Sequence, residues 1–189
     1  MTASKSKTQD ARTEPQGRPT IRLANISKGF SGVLALRDVS VEFHPGEVHA
    51  ILGENGAGKS TLMNIISGTL QPTLGDIWFE GQRIPEMTPE VSANLGIAIS
   101  FQHPAILEDL SVYENLRVAL PDSAFAGRPP QQIAKDMLNA VGLHVPLRLR
   151  VESLTIAQKH LLELAKALAL KPKLLILDEP TASLDQEAT

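Results

Sequence analysis

The chain has 189 residues, 42% of them hydrophobic, enough for one folded unit with a real core and short for two of ordinary size. Eighteen Lys and Arg against 21 Asp and Glu give a formal charge of -3, so there is no overall basic footprint for nucleic acid or an anionic membrane. Cysteine is absent, which excludes disulfides and thiolate metal sites.

Residues 1–19 are polar, proline-bearing and of mixed charge, with no apolar core of a secretion signal, and are expected to form a disordered tail ahead of one folded unit over 20–189. "TIRLANISKGF" and "VLALRDVSVEF" alternate apolar and polar residues around a glycine turn at Gly29–Gly32, predicting an antiparallel ribbon. "EVHAILG" predicts a short apolar strand running into "GENGAGKSTLMNIISG". There Leu62, Ile65 and Ile66 have helical spacing and Gly68 is a stop. "GDIWFEGQRI" predicts a strand pair, and "IAISFQ" a buried strand ending at Gln102.

Between about 104 and 157 the pattern turns helical. "SVYENLRVAL" and "QQIAKDMLNAV" carry three-to-four spacing, and "AGRPP" divides them. A helix over roughly Ala157–Leu170 follows, then the strand "KLLILDEP" with acids at its end. The longest apolar stretch, Leu161 to Leu177, is broken by Glu163, Lys166, Lys171, Pro172 and Lys173, so it cannot cross a bilayer needing about 20 apolar residues. The five histidines show no metal-ligand spacing.

Gly53, Glu54, Asn55, Gly56, Ala57, Gly58, Lys59 and Ser60 satisfy the P-loop pattern, with Thr61 continuing into the helix. The glycines let the backbone close on a polyphosphate, whose charge is met by N–H groups at the positive end of that helix. Lys59 adds a point charge for the phosphates, and Ser60 an oxygen for Mg²⁺. Asp178 and Glu179, at the end of an apolar strand, supply an acid to hold the metal and a base to position water. A parallel sheet delivers that strand end to the same edge as the loop. No Asn/Thr-Lys-x-Asp guanine motif is present, which favours an ATPase with a helical insertion over a GTPase.

With these motifs in this order, the chain from Thr20 onward resembles the nucleotide-binding subunit of ATP-binding-cassette transporters, specifically the sugar-importer branch. The resemblance implies an α/β fold: a P-loop NTPase, RecA-like core with an antiparallel β subdomain and an inserted helical subdomain. It matches Phe30 to the aromatic that stacks on adenine, worth roughly 1–3 kcal/mol for base–aromatic stacking. It matches Gln102 to the Q-loop at Mg²⁺ and the attacking water, and Glu179 to the general base. Ser60, Gln102 and Asp178 then surround the metal.

"LTIAQ", Leu154, Thr155, Ile156, Ala157 and Gln158, corresponds to the signature loop that contacts ATP held by an opposite cassette. Its usual glycine pair is replaced by Ile156 and Ala157. The resemblance places Ser183, Leu184 and Asp185 in the D-loop, and Ile106, Leu107 and Leu110 either where the family docks a permease helix or in the core of the helical subdomain. In the family a strand and a switch histidine follow the D-loop, so the resemblance implies a C-terminally incomplete cassette resembling the first of a tandem pair.

The implied cofactors are ATP and Mg²⁺. The implied partners are a second ATP-binding cassette in a longer chain or a homodimer, transmembrane permease subunits and, indirectly, an extracytoplasmic solute-binding protein, with no nucleic acid. The implied location is the cytoplasmic face of the cell membrane. Two alternatives remain: a non-hydrolysing ATP-binding half of a tandem cassette, and a soluble cassette ATPase of DNA repair or translation.

Overall fold

A computed structural model describes residues 18–100, 106–125 and 127–177. Thr20 is buried and leads into β1 (Ile21–Phe30), which pairs antiparallel with β2 (Val33–Phe43). The turn between them is only Ser31 and Gly32, both with positive φ (37° and 94°), as a two-residue hairpin turn of primed type requires. The expected turn is therefore shorter than Gly29–Gly32, because Gly29 is still in the ladder opposite Leu34.

β1 buries Ile21 and Leu23 and turns Arg22 outward. Strict alternation would then put Asn25 inside. A bulge between Leu23 and Ile26, with Asn25 at φ 55°, shifts the phase so that Ile26 points inward. β3 (Leu74–Phe79) and β4 (Gln82–Ile84), joined at Glu80 and Gly81, complete a four-stranded antiparallel sheet in the order β2-β1-β3-β4.

Helix α1 (Lys59–Ile66) buries Leu62, Ile65 and Ile66 against this sheet. It stops at Gly68, whose φ of 80° favours glycine and whose added Cβ would lie 2.3 Å from the Thr88 carbonyl carbon. A short helix not expected from the apolar spacing, α2 (Pro89–Asn94), has a sequence signal in its first residues. Thr88 accepts a hydrogen bond from the Val91 N–H, and proline occupies the first turn.

β5 (Ile97–Ser100) and β6 (Leu174–Leu177) pair in parallel, with Ser100 opposite Leu177. The strand ends expected to lead to Gln102 and Asp178 are thus side by side.

The expected strand over Glu47–Gly53 is not formed. No described strand offers it a ladder, and a lone extended segment makes no cross-strand hydrogen bonds. Ile51 still packs on the core, but Val48 and Leu52 face solvent. A cavity of about 360 Å³, lined among others by Phe43, Val48, Met63, Ile66 and Leu175, separates this segment from β6.

The helical region forms a second core. α3 (Val112–Val118), α4 (Pro130–Ala140) and α5 (Ile156–Ala169) bury Val112, Leu116, Ala134, Leu138, Leu162 and Ala165 together. α5 closes this core and also packs on β5, where the buried Glu163 accepts a hydrogen bond from the Ser100 hydroxyl at 3.3 Å. The helical cluster therefore extends into α5, beyond the expected boundary near 157. Among the described residues no helix is long and apolar enough to cross a membrane.

Candidate functional site

The loop Gly53–Gly58 wraps toward the start of α1, with Ala57 N–H donating to the Glu54 carbonyl at 3.1 Å. Gly58 is the residue preceding the helix. It adopts a left-handed φ of 86° and provides no side-chain cap, so the first-turn N–H groups are not claimed by a capping side chain. A Cβ on Gly58 would lie 2.6 Å from the Ala35 carbonyl oxygen and 2.7 Å from Leu36 Cδ2. Only glycine fits between β2 and the helix there, and the uncapped helix start forms a cradle of the kind that can receive an anion.

Lys59 Nζ donates to the carbonyls of Gly53 at 2.7 Å and Glu54 at 3.0 Å. The ammonium is thus held over the loop by backbone oxygens, contacts that polyphosphate oxygens can replace. Glu54, Asn55, Gly56, Ala57 and Ser60 are exposed along the cradle, and Thr61 is half-buried in the first turn. A hydroxyl oxygen at Ser60 beside a phosphate cradle is the hard-donor chemistry Mg²⁺ takes. The other expected metal ligands, Gln102 and Asp178, lie outside the described residues, as do Glu179, Ser183, Leu184 and Asp185.

Phe30 ends β1 at the hairpin tip. It is 45% exposed, and the Lys28 ammonium lies 5.4 Å from its ring centroid. Ala35 and Leu36, which back Gly58, follow Val33, the residue paired with Phe30, on the same strand. One hairpin therefore carries both the exposed ring and the wall of the cradle.

The Leu154–Gln158 turn is organised differently. Leu154 is buried in the helical core, and Ile156 is 54% exposed. Thr155 Oγ accepts from the Gln158 N–H at 3.2 Å, while Gln158 Oε1 accepts from the Thr155 N–H at 3.0 Å, a full capping box. Thr155 is therefore the cap of α5. Ala157 is half-buried in the first helical turn.

Sequence reasoning missed Asn115. This side chain is buried; it accepts from the Leu107 N–H at 2.8 Å and donates to the carbonyls of Leu107 at 2.9 Å and Ser111 at 3.1 Å. Its signal was an amide on the apolar face of α3, behind the Ser111–Glu114 capping box. In that box the Ser111 hydroxyl and N–H, both donating to the carboxylate, hold the Glu114 carboxyl below the usual range.

A strand hairpin backing a glycine cradle at a helix N-terminus, beside a two-stranded parallel sheet and a helical insertion, defines a P-loop nucleotide-binding fold. The sequence pattern of the ABC transporter family matches residues 36–182, and the chain belongs to that family. It is 41% identical over 180 residues to a ribose import ATP-binding protein of Rubrobacter xylanophilus, covering 89% of this chain and 35% of that protein. It is 45% identical over 172 residues to a putative ribose/galactose/methyl galactoside import ATP-binding protein of Agrobacterium fabrum, covering 89% and 34%. The chain thus spans about a third of the length of these curated relatives.

Among solved structures, a nucleotide-free ATP-binding cassette from an ABC transporter superposes with a TM-score of 0.73 at 31% identity, covering 87% of this chain and 70% of that one. A cassette in a dimeric post-hydrolysis state bound to ADP and Pi gives a TM-score of 0.76 at 25% identity, covering 88% and 77%.

Proposed function

We propose that this chain binds and hydrolyses ATP as the energising cassette of an importer for a sugar or similar small solute, seated peripherally on the cytoplasmic face of the membrane. The observation that carries the proposal is the uncapped α1 N-terminus behind Gly58, with Lys59 held, among the described residues, by the carbonyls of Gly53 and Glu54. The import function and solute class come from the likeness to ribose and galactose import proteins.

In this mechanism the α1 N–H groups receive the phosphates and Lys59 exchanges its two carbonyl contacts for phosphate oxygens. Phe30 stacks on the adenine. Ser60, with Asp178 and Gln102, would hold Mg²⁺, which supplies neutralisation of phosphate charge when bound. Glu179 takes the proton of the attacking water. A second cassette places its Leu154–Gln158 turn against this nucleotide, and the closing and reopening of the pair drives permease subunits supplied by an extracytoplasmic solute-binding protein. The likeness to a dimeric cassette bound to ADP and Pi supports that arrangement.

The deciding experiment is ATP-dependent solute uptake by the complete transporter in membrane vesicles, compared with Glu179→Gln. Loss of uptake with retained ATP binding supports hydrolysis at this site. Full uptake in the Glu179→Gln protein contradicts it and leaves a purely ATP-binding role, the alternative that the exposed Ile156 in place of glycine favours.

A further inference from the structure

Glu108 touches the chain on both sides of the Leu154–Gln158 turn. Its carbonyl oxygen accepts from the Glu152 N–H at 3.2 Å, ahead of the turn, and its carboxylate lies 2.5 Å from Lys159 Nζ, immediately after it. These contacts are far from local, since Lys159 lies 51 positions along the chain from Glu108.

Glu108 is itself held firmly. The buried Asn115 binds both the N–H and the carbonyl of Leu107, and Leu110 N–H donates to the same carbonyl at 3.1 Å. An amide enclosed in an apolar core is costly to leave unpaired, so this clamp fixes the peptide next to Glu108. At the other end, Lys159 places a cation in the first turn of α5, where the helix dipole disfavours positive charge unless an acid offsets it. The Lys159 side chain is only 18% exposed while that of Glu108 is 59% exposed, so the lysine lies along the surface toward its partner. With its Glu108 end in solvent the ion pair adds little stability of its own, and its contribution is chiefly geometric.

We propose that Glu108 is a positioning residue for the Leu154–Gln158 turn, holding Glu152 through its carbonyl and Lys159 through its carboxylate, and so fixing how the α5 N-terminus meets the nucleotide of a second cassette. This inference rests on the function proposed above.

The test uses the full chain with MgATP and has two readouts. Nucleotide affinity is measured by titration at low protein concentration, and ATP-driven self-association by sedimentation. Glu108→Lys is expected to weaken association about tenfold, with Glu108→Gln intermediate, while nucleotide affinity stays unchanged. Adding Lys159→Glu to Glu108→Lys restores association, because the pair is re-formed with its charges exchanged.

Unchanged association in Glu108→Lys, no recovery in the exchanged pair, or a parallel loss of nucleotide affinity would overturn the inference. ATP binding by the unaltered chain without association also overturns it and leaves the ATP-binding function standing. No ATP binding by the unaltered chain removes the proposed function, and the inference falls with it.

Discussion

The two helix N-termini proposed to meet phosphate are finished in opposite ways. α1 starts behind Gly58 with no side-chain cap, whereas α5 starts behind Thr155 with both halves of a capping box in place. The open terminus keeps its N–H groups for an external anion. The closed one already spends part of its capacity on Thr155 and Gln158, so a phosphate arriving there must share or displace those bonds. The contrast suits one site that holds nucleotide by itself and a second that touches it only after two cassettes meet.

The contrast breaks most severely at Gly58. Gly58→Ala places a methyl 2.6 Å from the Ala35 carbonyl oxygen in a left-handed conformation, and nucleotide titration should show binding weakened at least about 100-fold. If Lys59 binds phosphate as proposed, Lys59→Ala would remove charge-assisted bonds worth about 1.5–3 kcal/mol, so ATP affinity should fall roughly 10–100-fold with the thermal transition little changed.

At the closed terminus the prediction reverses. Thr155→Ala should lower stability by about 1 kcal/mol, visible in chemical denaturation, and leave nucleotide affinity at low protein concentration unaltered. The smallest effect compares two capping boxes. Glu114 completes the one on α3 and Gln158 the one on α5. Because the folded Glu114 carboxyl sits below its ordinary value, its stabilisation is present at neutral pH and is lost as pH falls through the ordinary carboxylate range and then the folded value. Glu114→Gln should therefore flatten the acid limb of stability slightly, and Gln158→Glu should steepen it.

Much of this was legible in the sequence for local reasons. The glycine spacing at 53–58 reports a backbone demand that few other residues meet. The strand alternations at 21–43 and 74–84 report a sheet with one buried face. The strand expected at Glu47–Gly53 failed because a strand depends on a neighbour, and no sequence window displays its partner. α2 was missed because six residues hold too few apolar repeats, although Thr88 and Pro89 announced its start. Asn115 and Glu108 escaped for a different reason: their partners are set by tertiary packing, and residue type alone does not reveal it.

The most direct test of the phosphate cradle is a calorimetric titration of the unaltered chain with ATP, ADP and AMP. A polyphosphate cradle behind Gly58 predicts that ATP and ADP bind at one site per chain, with AMP at least about tenfold weaker because it lacks the phosphates that the α1 N-terminus and Lys59 receive. AMP binding as tightly as ATP, or no ATP binding at all, would contradict it.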